Sequence, residues 1–194
     1  TKAKAMMDMP ALFFIRFLNN HGLMQIKNRS GWWVIKDGSS KYVEKIIASF
    51  KSKIKLNTAI ESIQRKDNKV IIKPFSHDEE TFDAVVIATH SDQALRMLAD
   101  ATKEENEILK ALPYQLNEAL LHTDEFVLPK RKKAWSSWNY NLDQGVDEPM
   151  AMTYNMNILQ SLKSSETYCV TLNNSELVDD KKIIKTLSYE HPQF

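Results

Sequence analysis

The sequence predicts an α+β fold: a mixed or antiparallel sheet flanked by helices, joined to a smaller β-meander and strand–helix piece. Three observations carry this expectation. Residues 54–88 hold strand-like runs joined by short polar turns at "KDN" and "SHDEE". Residues 150–158 alternate large apolar side chains with small or polar ones at a period of two. Elsewhere apolar residues recur at helical spacing over 42–50, and helix starts stand at Ser91 and Thr102.

Taken in chain order, Leu12, Phe13, Ile15, Phe17 and Leu18 predict a short helix that ends at Asn19, Asn20 and Gly22. "GWWVI" is strand-like, and "KDG" turns the chain. Ser39 or Ser40 then caps a helix with Tyr42, Val43, Ile46, Ile47 and Phe50 on its apolar face. "KIKLNTAIESI" predicts a strand with Ile54, Leu56 and Thr58 on one face, followed by Ile60 after an irregularity. "KDN" is a tight turn and "KVIIKPF" the returning strand. "FDAVVIA" is a continuous apolar run, the pattern of a strand covered on both faces.

Ser91 is positioned to cap "DQALRMLAD", and Thr102 with Glu105 forms a capping box for a helix that stops before Pro113. Strands are expected again in "EALLHT", "AWSSWNY", "MAMTYNMNI" and "TYCVTL", and a closing helix in "DDKKIIKTLSYEH". The third of these strands places Met150, Met152, Tyr154, Met156 and Ile158 on one face, predicting an antiparallel sheet with one buried side. There is no internal repeat.

Composition narrows the function. With 43% hydrophobic and 26% charged residues the chain is ordinary for a globular protein. A net charge of +1 supplies no field for nucleic acid or an anionic membrane. The single cysteine, Cys169, rules out an internal disulfide framework and fits a reducing, cytoplasmic setting. The richest apolar stretch, "ALFFIRFL", is short and broken by Arg16, so no transmembrane segment is expected. The chain starts at Thr1 and has four glycines, with no GxGxxG or GxxxxGK[ST]; an internal piece of a longer protein is the expectation.

The chemical candidates each carry a plain structural alternative. Five scattered histidines and one cysteine form no metal-ligand spacing, so no metal is expected. "KRKK" at 130–133 beside "AWSSWNY" is a solvated hairpin tip rather than a nucleic-acid site. In "AWSSWNY", Trp138 and Tyr140 share one strand face and Trp135 and Asn139 the other. One side then packs on the core and the other lines a cavity, or both tryptophans are core. The Met150–Ile158 stripe is core or a pocket for an apolar ligand. "ATHS" after "FDAVVI" stands at the carboxyl end of an expected strand, where α/β sheets gather ligands. The same residues also suit a bare strand-to-helix loop.

Three stretches, "GSSKYVEKIIASF", "IKLNTAIESIQRKDNKVII" and "FDAVVIATHSDQALRML", resemble consecutive segments of the flavin-containing amine oxidase superfamily. The likeness is strongest to a bacterial branch of predicted NAD/FAD-binding proteins. It is carried in order by "NHGL" (Asn20 to Leu23), Trp32 to Val34, "GSSKYV" (Gly38 to Val43) and "ATHSDQAL" (Ala88 to Leu95). "LHTD" (Leu121 to Asp124), "LPKR" (Leu128 to Arg131) and "WSSWNY" (Trp135 to Tyr140) follow. The superfamily's glycine-rich pyrophosphate loop is absent, and Asp37 stands where a glycine is favoured, so its charge opposes a phosphate at that turn.

The resemblance implies an FAD-dependent oxidoreductase as the parent protein, with hydride leaving an apolar or amine-like substrate for the flavin. Residues 1–36 would be the helical part of a substrate domain, 37–100 the middle of an FAD-binding domain, and 101–194 the substrate-binding sheet and helices. Ile60, Thr89, His90, Gly38 and Ser39 would then be cofactor-binding, and Trp135, Trp138 and Tyr140 substrate-binding; no catalytic acid or base is implied. FAD belongs to the parent, and this piece alone is expected to hold it weakly or not at all and to be inactive. The expected partner is a small, lipid-like substrate, without nucleic acid, and the piece is expected to self-associate through exposed sheet edges. The alternative is a non-catalytic binding module for an apolar ligand or a protein partner.

Overall fold

The computed structural model describes residues 7, 9–27, 31, 33–141 and 151–192. The fold is α+β, with two antiparallel sheets and short helices. The chain divides into two compact units, Thr1–Ile46 with Leu116–His191, and Ile47–Gln115 with Pro192–Phe194.

The first unit holds α1 (Ala11–Asn20), which stops at His21 and Gly22, where the glycine adopts φ 65°. Its apolar residues Leu12, Phe13, Ile15 and Phe17 are all exposed. Residues 33–35, expected to be a strand, are irregular; Trp32 lies outside the described residues. The turn at Asp37 (φ 63°) and Gly38 (φ 91°) leads into α2 (Ser40–Ile47), whose apolar spacing the sequence displays.

The second unit opens with a hairpin. Residues 54–59 are not a strand, and pairing begins at β1 (Ile60–Lys66). Asp67 and Asn68 turn the chain with φ 50° and 56°, the two left-handed residues of a two-residue hairpin loop, and β2 (Lys69–Pro74) returns. The third strand, β3 (Glu80–Phe82), is short and pairs with β2 to give the order β1-β2-β3. "FDAVVIA" departs from expectation. Residues 84–88 form no strand, and Val86 is 91% exposed. An apolar run becomes a buried strand only where neighbours accept its peptide groups, and no strand among the described residues pairs with it.

Next come α3 (Ser91–Met97) and α4 (Lys103–Lys110). The cap of α3 is His90 rather than Ser91. The Thr102 capping box forms as expected: Glu105 N–H donates to Thr102 Oγ1 at 3.1 Å, and Thr102 N–H to Glu105 Oε2 at 2.8 Å. Arg65 ties β1 to this helix pair. Its guanidinium donates to Asp100 and to both oxygens of Glu105, at 2.7 and 2.9 Å to the latter.

The five-stranded sheet runs β5-β6-β7-β4-β8, with β4 at Tyr114–His122, β5 at Trp138–Tyr140, β6 at Met152–Asn155, β7 at Cys169–Leu172 and β8 at Ile183–Pro192. Three expectations are corrected here. Only Trp138–Tyr140 of "AWSSWNY" is strand. Met156–Leu159 turns into a short helix, α5, because the Asn155 side chain accepts the Ile158 amide and ends the ladder. The closing segment is the strand β8 beside β4, not a helix.

Which face is buried is also reversed. Ala151, Thr153 and Asn155 are buried, while Met152 and Tyr154 are half-exposed; Met150 lies outside the described residues. Register pairs Asn139 with Thr153, Thr153 with Thr171 and Leu120 with Thr171, so the interior face is Asn139, Thr153, Thr171, Leu120 and His122. A polar interior of this kind is stable only when its groups bond one another. They do: Thr171 Oγ1 lies 2.8 Å from both His122 Nε2 and Thr153 Oγ1, and Asn139 Nδ2 donates to the Ser136 carbonyl at 2.7 Å.

Candidate functional site

Within the unit of residues 47–115, the first feature is the outer edge of β1. The Phe75 amide donates to the Ala59 carbonyl at 3.0 Å, which makes Ala59 and Phe75 a hydrogen-bonded pair. The adjoining pair, Ile60 and Pro74, is therefore of the other kind, with its peptide groups turned out of the hairpin. Pro74 has no N–H to offer in any case. Farther along this edge the outward groups are occupied: Ala99 N–H donates to the Ile63 carbonyl at 2.9 Å, and Arg65 N–H to Asp100 Oδ2 at 2.8 Å. Ile60 thus presents main-chain donor and acceptor groups at an open edge position.

The second feature is the start of α3. The Ser91 amide donates to the Tyr114 hydroxyl at 2.7 Å, and that hydroxyl donates to Ser91 Oγ at 3.1 Å. The Tyr114 ring stacks on His90 with centroids 4.6 Å apart and 19° between planes. The His90 amide is directed at Gln93 Oε1, 3.4 Å away. With these amides engaged, the helix start offers little to an anion. His90 Nδ1 is itself buried, on the capping-box side of the helix start and without a hydrogen bond of normal geometry, and the exposed Thr89 precedes it. Nothing local to Tyr114 signals this role; a tyrosine just after Pro113 reads only as the first residue of a strand.

In the other unit, Gly38 and Ser39 close their own turn. Gly38 N–H donates to the Ile35 carbonyl, while the carbonyls of Gly38 and Ser39 accept from Lys41 and Val43. Trp138 and Tyr140 stand side by side on the outer sheet face, 49% and 54% exposed, and Asn139 between them is 8% exposed. Register puts Tyr154 beside Trp138 and Met152 beside Tyr140, so the methionine stripe and these aromatics share one half-exposed face. Trp138 and Tyr154 meet edge to face at 6.5 Å. Trp135 is apart from them: its Nε1–H donates to the Pro129 carbonyl at 2.8 Å, and Lys132 Nζ sits 4.9 Å from its ring centroid.

Trp138 also lines a cavity of about 430 Å³ together with Trp33, Ile158 and Leu159, where serines are the other side chains with polar groups and none is charged. The sequence marks Trp138, and Ile158 as the end of the methionine stripe, but not Trp33, which reaches the same cavity from an irregular segment. Cys169, in the sheet interior, is pushed up to about 12 by burial, with the charges of Glu125 and Asp124 adding to it. Such a thiol is a packing group rather than a nucleophile. Among the described residues no group of three or more His, Cys, Asp or Glu side chains could hold a metal, and no helix is long and apolar enough to cross a membrane.

A sequence search of curated proteins finds no match. Among solved structures the chain is similar to a CLA-producing fatty acid isomerase from P. acnes, with 18% identity and a TM-score of 0.55 over 79% of this chain and 39% of that one. It is also similar to a putrescine oxidase variant redesigned in cofactor binding, with 10% identity and a TM-score of 0.50 over 74% of this chain and 30% of that one. The chain therefore spans well under half the length of either structure, and at these identities the likeness speaks for the fold. The family model of flavin containing amine oxidoreductases matches residues 12–153, well over half of the sequence, and the chain belongs to that family.

Proposed function

We propose that this chain is the middle of an FAD-dependent oxidoreductase, in which residues 47–115 contribute to holding FAD and the five-stranded sheet forms one wall of the substrate cavity. The observation that carries the reading is the family match over residues 12–153, which runs through both units. The geometry supports it at two places. Ile60 offers outward main-chain groups of the kind that pair with a purine edge. At the start of α3 the exposed Thr89 stands next to the His90 ring, which Tyr114 stacks in place. In this reading Ile60, Thr89 and His90 hold the cofactor; in the other unit the Gly38 N–H is already used by the Ile35 carbonyl.

Bound flavin would supply the two-electron acceptor for a hydride leaving a substrate carbon. The chain's own part is to orient that carbon and keep water away. Trp138 and Tyr140, with Met152 and Tyr154 beside them, are suited to this through apolar area. Trp135 supports the sheet wall from the loop before it. No base is assigned to His90 in this reading; its ring stacks on Tyr114.

Two measurements test the proposal. FAD added to the purified 194-residue chain is expected to bind weakly or not at all, since no pyrophosphate-gripping glycine loop is in this sequence. A longer chain that carries this segment is expected to purify yellow and to bleach anaerobically with substrate. A longer chain that takes up no flavin would leave the alternative, a binding module built on the same apolar face.

A further inference from the structure

The cavity beside Trp138 adjoins a second one of about 650 Å³, because Val34 and Ser161 line both. Both volumes fall in the roughly 300–1,000 Å³ of small-molecule sites. Their chemistry differs. The first has no charged lining group, only aliphatic and indole side chains and serine hydroxyls. The second is lined by Lys36 and Lys163 against a single carboxylate, Asp37. All three are exposed, and neither lysine is in an ion pair among the described residues. An apolar compartment thus opens onto one with an excess of positive charge.

We propose that this pair of cavities is a site for an anionic amphiphile, with its apolar body against Trp33 and Trp138 and its carboxylate, or another single anion, toward Lys36 and Lys163. The inference rests on reading this unit as the substrate side and decides between the substrate classes left open there. An ammonium head in the first cavity would be stripped of water with no carboxylate to receive it. In the second it would face two like charges and one opposite. An anion has the reverse balance and keeps contact with water, where each ammonium contact is modest. The apolar body removes aromatic and aliphatic surface from water in either case.

The test needs no flavin, so that its failure and the failure of the flavin reading are separate. The full chain is titrated calorimetrically with sodium dodecanoate, 1-dodecanol and dodecylammonium chloride, each below its aggregation limit. Dodecanoate is expected to bind at one site, about tenfold tighter than the alcohol, with the ammonium weakest. The double substitution Lys36→Gln and Lys163→Gln is expected to bring dodecanoate down to the level of the alcohol and to leave the alcohol unchanged. Asp37→Asn should tighten dodecanoate by a few fold. Ile158→Asn, at a half-exposed position whose variant can be checked by circular dichroism, should weaken all three. The proposal is overturned if dodecylammonium binds as well as dodecanoate, if the lysine substitutions weaken the alcohol equally, or if folded chain shows no saturable binding.

Discussion

His122 and Thr171 are joined by a 2.8 Å hydrogen bond inside the five-stranded sheet, and the donor can be assigned. The Asp124 amide donates to His122 Nδ1 at 3.0 Å, so Nδ1 carries no proton and the Nε2–H is the group that points at Thr171 Oγ1. Thr171 Oγ1 also shares a hydrogen bond with Thr153 Oγ1, 2.8 Å away, in which either hydroxyl can be the donor. Thr171→Val keeps the shape and removes both roles, stranding a buried N–H and a hydroxyl. A loss of about 1–3 kcal/mol is expected, with melting lowered by several degrees. Thr171→Ser, which restores the hydroxyl, should recover most of it. Thermal unfolding of the two variants side by side checks this.

The same assignment makes His122 an acid-sensitive group. Burial pushes it below its ordinary value of 6.5; the Asp124 charge works against that shift and the Lys182 charge with it. A depressed folded value means that the unfolded chain binds the proton more readily. The stabilisation is complete above about pH 6.5 and is lost as pH falls through the lower folded value. Denaturant unfolding between pH 7.5 and 5 is expected to show a decline of at most ~1.4 kcal/mol per pH unit from this residue. His122→Asn, which still offers an acceptor to the Asp124 amide, should flatten the slope over that window. An unchanged slope would remove His122 as its source.

Cys169 gives a direct readout of opening. It is fully buried and burial pushes its thiol up to about 12, so native protein at pH 8 presents very little thiolate, behind a closed sheet. Labelling by a thiol–disulfide reagent is expected to be slow in buffer and complete within the unfolding transition. Rapid stoichiometric labelling under native conditions would contradict the packing of β7 between β4 and β6.

The hairpin turn supplies a backbone test. Asp67 and Asn68 both hold positive φ, a region that Asn and Asp tolerate and β-branched residues do not. Asn68→Val is expected to cost about 1–2 kcal/mol, while Asn68→Gly should be neutral or mildly stabilising. A chain indifferent to Asn68→Val would mean that the turn is not left-handed.

These two residues also show where the sequence is readable. "KDN" between two apolar runs, and Thr102 three residues before Glu105, are local devices whose energy comes from neighbours in sequence, and both form as expected. Residues 84–88 failed for the opposite reason: an apolar run is a strand only if distant partners complete its ladder. In β8, Ile183 and Leu187 stand four apart, a spacing that helices and strands share, and β-branched Ile183, Ile184 and Thr186 go to the strand beside β4. The Met152–Tyr154 stripe misled because apolar size usually marks the interior. Here the interior is filled by a bonded set of His, Thr and Asn, and no single-strand pattern reveals such a network. For the candidate site, "SWNY" and "ATHS" were visible as chemistry. Tyr114 over His90, and Trp33 beside Trp138, come together only through the fold.

Arg65 offers the last test, since it bridges β1 to both ends of the α3–α4 connection. Its charge is stabilised first by hydrogen bonds to Glu105 and then to Asp100, and in return Glu105 is lowered to about 2. Carboxylates with depressed folded values contribute stability above their unfolded values, near 4.5 for Glu105, which is lost as pH falls through about 2. This window lies well below that of His122, so the two can be told apart. Lysine cannot replace the planar fork that engages two carboxylates at once. Arg65→Lys is therefore expected to loosen residues 98–100 without unfolding the sheet. Hydrogen exchange should show it as faster exchange at the Ala99 amide, which bonds the Ile63 carbonyl, while the β1–β2 ladder amides stay protected. The arginine is nearly half exposed, so 1 M salt should produce part of the same loosening in the unmodified chain. Equal exchange at Ala99 in both proteins would show that the Ile63–Leu98 bridge, not the arginine, holds the segment.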